Sequence, residues 1–168
     1  INTDFGTYDL MGKDPEEYPV APDTNNDVET GIDSLLLNKI ISTVSFAVSK
    51  DDLKPALTGV YFKVDSDLIT AVSTDGHRLA QYLCKNKTKS SFTGEVIIPK
   101  KFLNTVGSYV SSKEDIALLI NDSVFTAKIG MDTVYTRIID EKFPDYESVI
   151  PKDNDKELHV DRKDLLAA

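Results

Sequence analysis

Three stretches of this chain begin in the same way, and that repetition limits the folds open to it. Glu29-Thr-Gly-Ile-Asp33 leads into Ser34-Leu-Leu-Leu. Glu95-Val-Ile-Ile-Pro99 leads into Lys100-Lys-Phe-Leu, and Glu157-Leu-His-Val-Asp161 leads into Arg162-Lys-Asp-Leu-Leu. Each reads as a short strand, a helix-start residue (Asp33, Pro99, Asp161) and an amphipathic helix. The starts are 66 and 62 residues apart. A second echo runs at twice that period: Tyr18-Pro19 with Pro22 resembles Phe143-Pro144 with Pro151, 125 residues later. Two periods that agree favour duplication over chance. They predict one complete module at 26–151, built of two similar halves. Residues 1–25 are then expected to be the tail of a preceding module, and residues 152–168 the head of a following one. The first residue, Ile1, and the final Ala167-Ala168 fit a piece of a longer chain.

Periodicity fills in the halves. Over 34–49, Leu37, Ile40, Ile41, Val44 and Val48 share one helical face, with Asn38, Ser42, Ser45 and Ser49 on the other. Over 100–111, Phe102, Leu103, Val106 and Val110 point inward. Strands are predicted at 57–64, 67–73, 78–83, 94–98, 115–120, 123–128 and 132–139, with a polar loop at 86–93. Turn chemistry separates them at Asp65-Ser66-Asp67, Asp75-Gly76, Asn121-Asp122 and Gly130-Met131-Asp132. Each half is thus strand, helix, then three antiparallel strands. The class is α+β, with both helices on one side of the sheets.

Charge is unevenly spread. The net charge is -9, which argues against a simple basic nucleic-acid binder. Yet residues 34–50 and 96–113 contain no Asp or Glu at all. With 28 acids in 168 residues, about five or six would be expected there. The polar positions carry Lys39, Lys50, Lys100, Lys101 and Lys113, with Asn, Ser and Thr. Solvated helix faces ordinarily carry Glu, a good helix former. One reading is that both faces look at a polyanion, whose phosphates repel carboxylates and attract lysines without reading sequence. The other is that both faces pack on a protein partner through small polar residues. On the first reading the DNA-facing candidates are Lys39, Asn38, Ser42, Lys50, Lys100 and Lys101.

Several classes find little support. No apolar run approaches the roughly 18 residues of a membrane helix, and no secretory leader is visible. The lone Cys84 allows no internal disulfide and suits the cytoplasm. One Cys and two His in unpaired spacing offer no zinc site. No phosphate-cradling glycine loop occurs, so no cofactor is expected. Asp75, His77 and Arg78 cluster as acid-base residues would. Strand neighbours alternate faces, however, so Asp75 and His77 need not converge beside a tight turn.

A longer series of strings carries a resemblance. Leu57-Thr-Gly-Val-Tyr-Phe is followed by Ala71-Val-Ser-Thr-Asp-Gly-His-Arg-Leu-Ala80, by Val96-Ile-Ile-Pro-Lys-Lys101, and by Phe143-Pro-Asp-Tyr146 with Val149-Ile-Pro151. Over roughly 28–151 this resembles the middle domain of the bacterial DNA sliding clamp, the beta subunit of DNA polymerase III. The resemblance implies three such domains in tandem and a head-to-tail dimer ring whose twelve helices line a hole. Helices about 10 Å across leave an opening of about 28 Å, wider than a DNA duplex. It implies a non-catalytic processivity factor. Its partners would be duplex DNA, contacted without regard to sequence, and the DNA polymerase and clamp-loader subunits, which dock through short peptide motifs. It also implies a peptide pocket at Leu57, Thr74, Gly76, His77, Arg78, Leu79, Pro144 and Val149. Apolar members would take Leu or Phe anchors, while Arg78 and the backbone around Gly76 hold polar groups. Ser148 departs from the family, some members of which carry a basic residue there. A tandem-repeat scaffold that never meets DNA remains the second reading.

Overall fold

The computed structural model describes residues 1–18, 20–22, 28–85, 92–110 and 115–168. The expected loop at 86–93 falls largely outside them, as do Pro19 and Lys113. Asp33 starts the first long helix, α1 (Ser34–Val44), by accepting the Leu36 N–H at 2.8 Å. Pro99 starts the second, α2 (Lys100–Tyr109), with a fixed φ of -56° and no side-chain hydrogen bond. Asp161 opens a short third helix, α3 (Arg162–Ala167), where its carboxylate accepts the Lys163 N–H at 2.7 Å. All three helix starts therefore lie where the repeat puts them. The strand expected before the third does not form. Residues 157–160 are exposed and have no partner strand among the described residues, and a strand without a ladder has nothing to hold its backbone groups.

Among the described residues there are ten strands: β1 (Asn2–Thr3), β2 (Gly6–Thr7), β3 (Val28–Asp33), β4 (Gly59–Val64), β5 (Leu68–Thr74), β6 (Leu79–Lys85), β7 (Gly94–Pro99), β8 (Asp115–Ile120), β9 (Val124–Ile129) and β10 (Asp132–Arg137). β1 and β2 pair with each other in an exposed hairpin. The rest form two four-stranded antiparallel sheets, ordered β10-β9-β8-β3 and β6-β5-β4-β7. The two orders are the same pattern written twice. In each, three consecutive strands of one half are completed by the opening strand of the other half. β3 pairs with β8 from Val28 opposite Ile120 to Asp33 opposite Asp115, and β7 pairs with β4 from Gly94 opposite Val64 to Pro99 opposite Gly59. This exchange was not legible in the repeat, which fixes the order of elements along the chain but not which edge each opening strand joins.

One core serves both halves. Leu37, Ile40, Ile41 and Val44 of α1 meet Phe102, Leu103 and Val106 of α2. Below them lie Val60, Phe62, Ile69, Ala71, Val96 and Ile98 of one sheet and Ile116, Leu118, Ile120, Phe125 and Ala127 of the other. The sheet β6-β5-β4-β7 is also covered on its far face. There Tyr61, Val72 and Ile97 form a second cluster with Phe143, brought in by the segment after β10. Phe143 stacks on Tyr61 with centroids 4.9 Å apart.

Both helices end earlier than their apolar periodicity suggests, α1 where its last carbonyl is claimed from elsewhere and α2 where Val110 leaves helical geometry at φ -80° and ψ 74°. The buried Ser73 hydroxyl donates to the Val44 carbonyl, the acceptor that a further turn of α1 would need. The chain then makes a 3-10 turn at Ser45–Ala47 and extends at Val48. Ser45, expected on the solvent side, has a buried hydroxyl. The Val110 carbonyl after α2 accepts the Asn38 side-chain amide at 2.9 Å.

Gly59 is buried where β4 meets β7. A Cβ there would sit 2.7 Å from the Ile98 carbonyl oxygen, 2.8 Å from Ile97 Cγ2 and 2.9 Å from Ile139 Cδ1. Gly31, in β3, has open space at the same point. Gly59→Ala is therefore expected to lower unfolding free energy by about 1–3 kcal/mol in urea titrations, and Gly31→Ala to leave it nearly unchanged. Equal effects at both positions would contradict this packing.

Candidate DNA-facing helices and ligand pocket

The two long helices lie side by side and antiparallel. Asn38 of α1 meets Val110 at the end of α2, and Ile41, one turn later in α1, meets Gly107, one turn earlier in α2. A Cβ on Gly107 would come 3.4 Å from Asn38 Oδ1, so the glycine lets the helices approach closely. The outward polar positions are Lys39 and Ser42 on α1 and Lys101, Asn104, Thr105 and Ser108 on α2, all exposed, and Leu35 and Tyr109 of the same helices are exposed too. Hydroxyls of Ser42 and Thr43 donate to the Lys39 carbonyl, and those of Thr105 and Ser108 to the Lys101 and Thr105 carbonyls. Side-chain polarity is thus largely turned back on the helices, and the lysines supply the charge. Among the described residues none of Lys39, Lys50, Lys100 or Lys101 pairs with a carboxylate. Lys39 stands beside the end of α2 and Lys101 at its start, so the charges spread along the pair by roughly 12 Å.

Three expected members of this face sit differently. Asn38 is half-buried, and its amide ties α1 to the end of α2. It is a strut between the helices, not a free polar group. Lys100 is half-buried at the first position of α2. Lys50 is exposed but lies beyond the 3-10 turn, off the helix.

A cavity of about 380 Å³ opens on the far face of the sheet β6-β5-β4-β7. It is lined by Leu57, Thr74, Gly76, His77, Arg78, Leu79, Pro144 and Val149, together with Asp145 and Tyr146. All eight pocket candidates meet there. Thr74, at the end of β5, and Leu79, at the start of β6, are cross-strand partners, which places them together beside the turn. Leu57 reaches them from a 3-10 turn, Pro55–Leu57, and not from a strand as its sequence pattern suggested. Pro55 fixes the first φ of that turn, and the Thr58 hydroxyl donates to the Pro55 carbonyl at 2.8 Å. Pro144 and Val149 arrive on the segment anchored by Phe143. Tyr146 packs in the same cluster and Asp145 accepts the Ser148 N–H, so both missed residues follow from the Phe-Pro-Asp-Tyr string itself.

The turn at 74–78 is held mainly by side chains. Asp75 Oδ1 accepts the N–H groups of His77 and Arg78 at 3.0 and 3.1 Å. Thr74 Oγ1 accepts the Gly76 N–H at 3.1 Å and donates to the Arg78 carbonyl at 2.8 Å. Gly76 takes φ +91°, a conformation that favours glycine. The Arg78 guanidinium pairs with Asp75 through Nε–H and Oδ2 at 2.9 Å. These contacts, led by the two backbone N–H groups, hold the Asp75 carboxyl below its ordinary pKa. The carboxylate is thereby committed to the turn and to Arg78. Among the described residues no three His, Cys, Asp or Glu side chains are placed to hold a metal ion.

Residues 31–145 match the family described as "DNA polymerase III beta subunit, central domain". The chain belongs to that family. It is 30% identical to the beta sliding clamp of Bacillus subtilis over 169 residues, covering all of this chain and 45% of the relative. It is 31% identical to that of Halalkalibacterium halodurans over 172 residues, covering 99% of this chain and 44% of the relative. The chain thus spans less than half the length of these relatives. Among solved structures, the Bacillus subtilis DNA polymerase sliding clamp superposes with TM-score 0.76 at 31% identity, over 84% of this chain and 37% of that one. The Bartonella birtlesii sliding clamp bound to griselimycin superposes with TM-score 0.81 at 26% identity, over 92% and 43%. The α+β class read from the repeat and the clamp fold implied by the resemblance are both found.

Asp75 gives a pH test of the turn. Its folded pKa is depressed, so its contribution is complete above the unfolded value of about 3.9 and is lost as pH falls through the lower folded value. Asn keeps the acceptor oxygen and lacks the charge. Asp75→Asn is therefore expected to melt below the unaltered chain near pH 6, with the gap closing as pH drops below about 4. A gap independent of pH would show that the carboxylate charge is not what the turn uses.

Proposed function

We propose that this chain is the central part of a ring-forming replication clamp, a processivity factor that encircles duplex DNA and slides along it. The observation that carries the reading is the antiparallel helix pair with its lysine-bearing, acid-free outer face. In an acidic chain such a face is expected where a polyanion passes, because carboxylates there would be repelled by phosphate and lysines attracted. Few, unpaired lysines suit loose tracking better than tight binding. The acidic remainder of the surface disfavours DNA elsewhere. On this reading the protein is not an enzyme, acts in the cytoplasm, and assembles as a head-to-tail dimer in its longer form. Residues 26–151 form the complete domain, 1–25 close the domain before it, and 152–168 open the one after.

The cavity at Leu57, Thr74, Gly76, His77, Arg78, Leu79, Pro144 and Val149 is assigned as the docking site for short peptide motifs of the polymerase and clamp-loader subunits. Its apolar walls beside a fixed arginine suit an extended segment with Leu or Phe anchors. Two similar clamp structures are described as bound to griselimycin, which supports a ligand-binding role for this family. Here one half of the pocket is on this chain, and the following domain would supply the other.

A scaffold that never meets DNA has no need to exclude carboxylates from both helices, and this separates the two readings. In the longer protein, Lys39→Glu, Lys100→Glu and Lys101→Glu together are expected to shorten the lifetime on nicked circular DNA several-fold near 0.15 M salt, because three phosphate-attracting charges become repulsive. Peptide binding at the distant pocket should persist. A lifetime equal to that of the unaltered protein would favour the scaffold.

A further inference from the structure

Phe46 is 56% exposed in the 3-10 turn that follows α1, where burial gives little reason for an aromatic ring. The Arg78 guanidinium lies over that ring, with Cζ 5.5 Å from the centroid. We propose that Phe46 is a positioning residue for Arg78, fixing the guanidinium beside the pocket before a peptide arrives and so setting the pocket's affinity for extended segments. The proposal rests on the peptide-docking reading of the cavity.

Two groups restrain the guanidinium from different directions. Asp75 Oδ2 holds its Nε edge at 2.9 Å, and Phe46 supports its face. Of the five guanidinium donors, the Asp75 contact takes the Nε–H, which leaves the terminal amino groups for a ligand. An extended peptide always brings main-chain carbonyls, and these accept from such donors. An arginine free to rotate would lose that freedom on binding, whereas one already held loses less. Lysine could not take this role, because it has neither the plane to lie on the ring nor the fork to share between two partners.

The ring is itself held in place. Ala47 beside it is fully buried, and the Val44 carbonyl before it accepts the buried Ser73 hydroxyl. Ser73 adjoins Thr74, which lines the cavity. The end of α1 is therefore pinned to the same strand end that carries the pocket. Phe46 does not line the cavity, so its effect has to pass through Arg78.

The test uses the longer protein, in which the following domain completes the pocket, and a fluorescein-labelled hexapeptide, Ser-Asn-Leu-Gly-Leu-Phe, followed by fluorescence anisotropy. Phe46→Leu is expected to weaken binding roughly 3- to 10-fold at an unchanged melting temperature, and Phe46→Trp to restore it. In an Arg78→Ala background, Phe46→Leu should cost nothing further. The ring-current shift of the Arg78 side-chain protons should vanish in Phe46→Leu. Unchanged affinity in Phe46→Leu, or an equal loss in the Arg78→Ala background, overturns the proposal and leaves the pocket reading standing. No binding by the unaltered longer protein, or binding indifferent to Leu79→Asp, removes the pocket reading and this inference with it.

Discussion

The exchange of β3 and β7 is the constraint on which the rest of the molecule depends. Each half supplies three strands and a helix, and each sheet is completed by the other half's opening strand. Because Asp33 ends β3 and starts α1 without a loop, and Pro99 does the same between β7 and α2, the strand pairings also set where the helices begin. The two helices are therefore brought together by the sheets, and Gly107 and Asn38 set how closely they lie. A side-by-side pair facing one way follows from this exchange. Two halves that each closed their own sheet would have no such requirement.

The pocket depends on the same sheets from the other side. Alternation along β4, β5 and β7 sends Phe62, Ala71 and Ile98 into the shared core and leaves Tyr61, Val72 and Ile97 facing out. The segment after β10 crosses this outer face. The Ile139 N–H donates to the Ile97 carbonyl at 3.0 Å, and Phe143 stacks on Tyr61. Burial, with the Glu95 carboxylate nearby, raises the Tyr61 hydroxyl pKa above its ordinary value, so the phenol keeps its proton. With Phe143 fixed, Pro144, Tyr146 and Val149 become one wall of the cavity and the Asp75 turn the other. Val149 stays 67% exposed, which suits a wall awaiting a ligand better than a core position.

Much of this could be read from the amino acids because the relevant signals are local. Apolar spacing picked out the buried faces of both helices, and Asp33, Pro99 and Asp161 marked three helix starts. The composition of the helices showed their freedom from acids before any geometry did. The pocket residues came together through a family resemblance, since nothing in local spacing links Leu57 to Leu79 or Val149. What escaped was tertiary. Ser73 ends α1 by taking the Val44 carbonyl, and Asn38 leaves the solvent face to bridge to Val110, although both look like ordinary polar residues in sequence. The strand expected at 157–160 fails for the complementary reason, because local pattern cannot supply a missing neighbour.

The account stands or falls on what the paired helices face. The most direct measurement is photo-crosslinking from benzoylphenylalanine placed singly at Ser42 on α1, at Ser108 on α2 and at Asp122 in the β8–β9 turn. It is carried out with the longer protein loaded on circular duplex DNA. Crosslinks from both helix positions and none from Asp122 are what the account predicts. Crosslinks from Asp122 with none from the helices would contradict it.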